Sequence, residues 1–203
     1  MKKTLYTYLF ILSLGACTPT EVNLESLRSY IQDEENGLKK YAGSDVIKAE
    51  LTYKPSDLII AQNYKREIKA KPESIDSLKR SLDKYLYLTL RISQNGQEVE
   101  NRFVSNEALF NKTLAYLNYE MSEDISMTVS GKSYPVADYF YQRMYGTTGG
   151  SVILIAFEKE LIKEADDFKI AFEDRMLGLG YVDFEFERSD IENIPGLNFE
   201  LIN

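Results

Sequence analysis

Hydrophobic residues recur along this chain at two different periods, and the switches between them outline its elements. Leu24, Leu27 and Ile31 share one face at helical spacing from Leu24 to Gln32, and the run Asp33-Glu34-Glu35-Asn36-Gly37 ends that helix. Ile47, Ala49, Leu51 and Tyr53 alternate with polar residues, the pattern of a half-buried strand stopped by Pro55. Ser56 to Arg66 reads as helical with Ser56 as N-cap, although Leu58-Ile59-Ile60 leaves a strand open there. Ser74 stands at the cap of a second helix with Ile75, Leu78, Leu82 and Tyr85 on one face. The period then drops to two at Leu86, Leu88, Leu90 and Ile92. Asn95-Gly96 marks a hairpin, because both residues tolerate the positive φ of a type I′ turn, and Val99 to Val104 is the predicted return strand.

The second half continues the alternation. Ser105 to Met121 is the clearest helix, with Phe110, Leu114, Leu117 and Met121 as its buried stripe. Ile125, Met127 and Val129 form a strand before a turn at Gly131-Lys132. Val152 to Phe157 is continuously apolar, which predicts a central strand covered on both faces. Phe168, Ile170 and Phe172 alternate, as do Val182, Phe184 and Phe186. Ser189-x-x-Glu192 matches a capping box, and Leu197, Phe199 and Leu201 read as a last edge strand. The pattern predicts an α+β domain, a mostly antiparallel sheet of about eight to ten short strands with three or four helices.

The N-terminus carries a different signal. Lys2 and Lys3 precede a short apolar run from Leu5 to Leu14, followed by small residues and the chain's single cysteine. The run is too short to span a membrane, which takes about 18 or more apolar residues. Leu14-Gly15-Ala16-Cys17 resembles the lipobox of bacterial lipoproteins. That resemblance implies cleavage before Cys17 and lipid on its thiol, so that the protein meets the membrane through that lipid. Thr18 follows the cysteine where an inner-membrane retention aspartate would sit in enterobacterial lipoproteins, so the resemblance favours the outer membrane. Thr18-Pro19-Thr20-Glu21-Val22 offers one acid where Bacteroidota surface export resembles an acidic cluster, which favours the periplasmic face. The expected organisation is a signal peptide over 1–16, a lipidated tether with one short helix over 17–44, and a single globular domain over 45–203.

Composition narrows the function classes. With Lys2 and Lys3 removed, 22 cationic side chains face 32 acidic ones, a net charge of −10. That balance argues against nucleic acid and against electrostatic adhesion to anionic lipid. No histidine is present, which removes every Ser-His-Asp arrangement and the commonest zinc ligand. With Cys17 lipidated, no thiol remains for a disulfide, metal or nucleophile. No phosphate-binding or nucleophile-elbow motif is found, and no cofactor is expected. A hydrolase built on paired carboxylates or a Ser-Lys couple stays open as the alternative to a structural or binding role.

Three groups of residues merit placement. Asp183, Glu185 and Glu187 share one strand face, but at about 3.3 Å per residue they span roughly 13 Å, too far to share one ion, so a solvated outer face is expected. Asp76-Ser77-Leu78 resembles the short O-glycosylation motif of exported Bacteroidota proteins and lies in a predicted helix. Tyr134, Tyr139, Phe140, Tyr141 and Tyr145 crowd into twelve residues ahead of the glycine-rich Gly146 to Gly150. Tyrosine joins a rigid apolar ring to a polar tip, so Tyr134, Tyr139, Tyr141 and Tyr145 are the predicted contact surface for an envelope protein or a glycan. Alternate members of the same set would also suit a core beneath a hairpin.

Overall fold

The computed structural model describes residues 21–202. Its ten strands are antiparallel and form two sheets. The first five-strand path runs β1 (Lys39–Gly43), β2 (Ile47–Lys54), β3 (Tyr85–Gln94), β8 (Ser151–Glu158) and β7 (Asp138–Gln142), with β4 (Gln97–Glu98) on the end of β3. The second sheet runs β10 (Tyr181–Glu187), β9 (Asp167–Glu173), β5 (Ile125–Val129) and β6 (Lys132–Pro135). The two adjoin where β1 lies against β10. Six α-helices are described, against three or four predicted: α1 (Leu24–Gln32), α2 (Ser56–Asn63), α3 (Lys65–Ala70), α4 (Ile75–Leu82), α5 (Glu107–Ala115) and α6 (Arg188–Glu192). The α+β class and the antiparallel pairing agree with the sequence pattern.

One contiguous core joins both sheets. Leu51 opposite Leu90, and Leu90 opposite Ile153, carry an aliphatic row across the first sheet, while Phe172, Ile170 and Phe168 line the inner face of β9. Asn95 and Gly96 take φ of 51° and 73°, the type I′ geometry their identity predicts. A second such turn uses Ser130-Gly131, one residue before the predicted Gly131-Lys132.

The N-terminal boundary is earlier than the sequence pattern suggests. Residues 21–44 are built into the domain and do not form a tether. Leu27, Ile31 and Leu38 are fully buried, and β1 pairs along β2 from Lys39 opposite Thr52 to Gly43 opposite Lys48. Val22 bonds through both main-chain groups to Gly196 and Asn198, at 2.9 Å each. Gly37 suits its φ of 70°, which L side chains rarely adopt, and a Cβ there would also displace the Asp190 side chain.

Other boundaries move for local reasons. Val99–Phe103 is a 3₁₀ turn and not the return strand, because β8 already occupies that edge of β3, with Ile92 paired to Ser151. Pro55 holds the cap position of α2, and the Ser56 hydroxyl donates to Asp83 Oδ1 at 2.6 Å instead. The helix breaks at Tyr64 and resumes as α3. Ser74 sits before α4, but its hydroxyl donates to the Lys71 carbonyl, and Tyr85 opens β3. The helix predicted from Ser105 begins at Glu107 with Asn106 as its cap, and it widens into a π turn over Tyr116–Glu120. That turn brings both Tyr116 and Leu117 inward and leaves Phe110 and Leu114 only half-buried. α6 begins at Arg188, so Ser189 is no cap and Glu192 pairs with Arg188. Leu197 makes a single parallel bridge to Val22, and Phe199–Leu201 is a 3₁₀ turn, not an edge strand.

Candidate functional site

The aromatic segment does not form one hairpin. Its first ring, Tyr134, lies half-buried on β6 of the second sheet, and the others follow on or after β7 of the first. Tyr139 and Tyr141 point inward. The Tyr139 hydroxyl donates to the Leu117 carbonyl at 2.6 Å, and Tyr141 is 6% exposed. Burial raises the pKa of both phenols. Neither presents a contact surface. Phe140, between them, faces out at 59% exposure. Tyr145 is exposed too, but the Arg143 guanidinium stacks 4.6 Å above its ring. The glycine-rich loop after it is held down: Gly146 N–H donates to Glu98 at 2.6 Å and Arg91 donates to the Thr148 carbonyl at 3.1 Å.

Register explains what Phe140 does. It lies directly opposite Leu154 on β8, itself 36% exposed, so β8 is not covered on both faces as its apolar run predicts. One step along, Lys54, Tyr87, Ala156 and Asp138 form a transverse row across β2, β3, β8 and β7. Ile59, Gln62 and Asn63 of α2 wall the row off, which makes a groove of about 420 Å³ with an apolar floor and a polar rim. Lys54 is half-buried in it. Among the described residues its ammonium has no hydrogen bond and no ion pair, and desolvation lowers its pKa. Two rows along on the same face, beyond the Phe140 and Leu154 row, Glu50 pairs with Arg91 at 3.3 Å and with Lys39 at 3.5 Å.

A larger cleft of about 620 Å³ runs beside β9 and β10, where Lys40 lies 5.7 Å over the Phe186 ring and the other cations are paired with acids. Lys169 lies 3.0 Å from Asp183 and 2.8 Å from Glu185, and Arg188 pairs with Glu192. The carboxylate row is therefore a solvated face bridged by a lysine, with Val182, Phe184 and Phe186 buried behind it. Asp174 is spent on the backbone N–H groups of Met176, Leu177 and Leu179. No group of three or more acidic, histidine or cysteine residues that could hold a metal occurs among the described residues.

A polar cluster that the sequence did not reveal lies on the inner side of β7 and β8. Glu98 and Glu100 are 2% and 0% exposed. Glu100 accepts from the Tyr141 hydroxyl at 2.5 Å and from the Ser151 hydroxyl, which in turn accepts from Val99 N–H at 2.9 Å. Glu98 Oε1 takes the Gly146 N–H, while Oε2 is buried with no donor from any other group. The Glu100 carboxyl lies beside that of Glu98. Burial, with Glu100 beside it, raises the Glu98 pKa against the pull of Gly146 N–H and Arg143. These are paired carboxylates with a serine, but no substrate can reach atoms buried this fully. The only sequence trace of the cluster is Glu98-x-Glu100 after a strong turn, a spacing that is ordinary on any solvated strand.

Cys17 lies outside the described residues. Ser77 is exposed on α4. No helix of the described residues is long and apolar enough to cross a membrane. No protein-family model, curated protein or solved structure matches this chain.

Proposed function

We propose that this protein is a membrane-anchored envelope lipoprotein with a binding role and no catalytic one, held by lipid on Cys17. The lipobox resemblance favours the outer membrane and its periplasmic face. The observation that carries the binding role is the groove on the outer face of the first sheet, where Phe140 and Leu154 stay open to solvent beside Lys54, which has no partner among the described residues. Exposed apolar rows flanked by an uncompensated charge are costly for the free protein and are characteristic of contact surfaces. The rival hydrolase reading needs carboxylates or a serine placed for catalysis; the Glu98, Glu100 and Ser151 cluster is buried in the core, and the open Asp183 and Glu185 carboxylates of β10 are bridged by Lys169.

The test is capture from the protein's own envelope, comparing the lipidated form with Cys17→Ser and with Phe140→Ser. The expected result is detergent-phase partition that Cys17→Ser abolishes, and capture of a partner that Phe140→Ser weakens. A mature N-terminus elsewhere than Cys17, in a protein that stays in the aqueous phase, removes the anchor. Capture that ignores Phe140→Ser removes the groove.

A further inference from the structure

We infer that the groove is a site for a short acidic saccharide chain, an inference that rests on the groove being the binding surface. The floor is flat, because Phe140 and Leu154 are cross-strand neighbours on a pleated face and Tyr87 and Ala156 continue it one row away. A pyranose ring has an apolar C–H face that packs on such a floor and a perimeter of hydroxyl pairs. The rim offers planar groups able to meet two hydroxyls at once: Gln62 and Asn63 on one side, Asp138 and Gln142 on the other. A fatty acid would leave that rim unpaired.

Charge decides between neutral and acidic chains. The protein as a whole is acidic, with a formal net charge of −8. Against that background the groove holds Lys54, unpaired among the described residues, at the end away from Asp138, and a second cleft of about 600 Å³ shares Gln62 and Asn63 with it and is lined by Arg66 and Lys69 of α3. From Lys65 to Lys71 there are four cations and one acid, Glu67. A ligand lying along both clefts thus passes from the ring floor to Lys54 and onto a basic helix. Lys54 and Asp138 are three strand spacings apart, about 14 Å, which suits two to three sugar units. An acidic group on the chain would meet Lys54, whose ammonium has already lost part of its water and gains most from an anion.

Trigalacturonate and its fully methyl-esterified form test this, since they share the rings and differ in charge. Binding is read by calorimetry on the full-length protein in neutral detergent, at low and at physiological salt. The acid should bind about tenfold more tightly than the ester, the size of one charge-assisted contact. Lys54→Met should abolish that difference without touching the ester. Phe140→Ser should weaken both about tenfold and leave the melting temperature unchanged, which shows that fold is not the cause. Equal binding of acid and ester, no binding of either, or Lys54-dependent binding of polyglutamate in place of saccharide would each overturn the inference. If envelope capture still depends on Phe140 while neither sugar binds, only the saccharide class falls. If capture ignores Phe140 as well, the groove itself falls with it.

Discussion

The two faces of β7 and β8 differ in which groups they leave unsatisfied. On the inner face polar atoms are buried and nearly all of them are answered: Tyr141 and Ser151 donate to Glu100, and Gly146 donates to Glu98. On the outer face, apolar Phe140 and Leu154 are left in water, and Lys54 is half-desolvated without a partner among the described residues. Consecutive residues on one strand therefore serve opposite ends. The inner network is costly to disturb because every group removed orphans another. Phe140 and Lys54 on the outer face are cheap to disturb, because Phe140 stays largely in water and Lys54 has no hydrogen bond or ion pair among the described residues. That exposed apolar area is what the proposed binding role rests on.

The largest expected effect removes a support common to both faces. Deleting residues 21–44 takes away β1 and three fully buried side chains, Leu27, Ile31 and Leu38, each worth about 1.5–3 kcal/mol of burial. The sum approaches the roughly 5–15 kcal/mol that holds a typical domain. Thermal melting followed by circular dichroism should show no cooperative transition for 45–203; a sharp transition there would make the N-terminal elements accessory.

Next comes the inner network itself. Glu100→Ala should destabilise by about 3–5 kcal/mol in urea titration, since it strands the Tyr141 and Ser151 hydroxyls and the carboxyl of Glu98. A loss under about 1 kcal/mol would mean that water replaces the carboxylate and that the inner face is not closed.

A smaller, pH-dependent effect sharpens the same point. Folded Glu98 holds its proton more tightly than an unfolded glutamate, whose pKa is about 4.3. The native state then binds more protons than the unfolded one, so this group's contribution falls as pH rises from about 4.3 through the folded pKa, and the loss is complete above it. Glu98→Gln keeps the acceptor for Gly146 and supplies a donor toward Glu100, so its urea midpoint should decline less than wild type over that window. Parallel curves for the two proteins would show that Glu98 ionises without cost.

The smallest effect on stability belongs to the outer face. Phe140→Ser and Lys54→Met should each change stability by less than about 0.5 kcal/mol, the usual range for surface positions. If Phe140→Ser melts the protein several degrees lower, Phe140 packs as core and the contrast between the faces disappears.

Much of this division was legible in the alternation of β3, β9 and β10, where Leu86 to Ile92, Phe168 to Phe172 and Val182 to Phe186 are buried as their period predicts. Asn95-Gly96 located its turn because positive φ is a property of those residues and not of their surroundings. β1 was not legible: Lys-Lys-Tyr-Ala-Gly has no apolar period, and only main-chain pairing to β2 makes it a strand. Phe140 was legible as an aromatic in a crowd, but which ring of that crowd faces outward depends on the register between β7 and β8.

What the sequence determined by itself is therefore local: the class of fold, most strand faces, the type I′ hairpin and the absence of histidine. What tertiary structure alone decided is which distant groups meet. Glu100 is separated from Ser151 by 51 positions, and Lys54 and Phe140 reach one groove across three strand spacings. Periodicity reports whether a side chain leaves the backbone toward core or solvent. Contacts between separate strands are set by pairing order and by competition for an edge, as when β8 displaces Val99–Phe103 from β3. No local pattern carries that information, because the energy that settles it is shared among segments far apart in the chain.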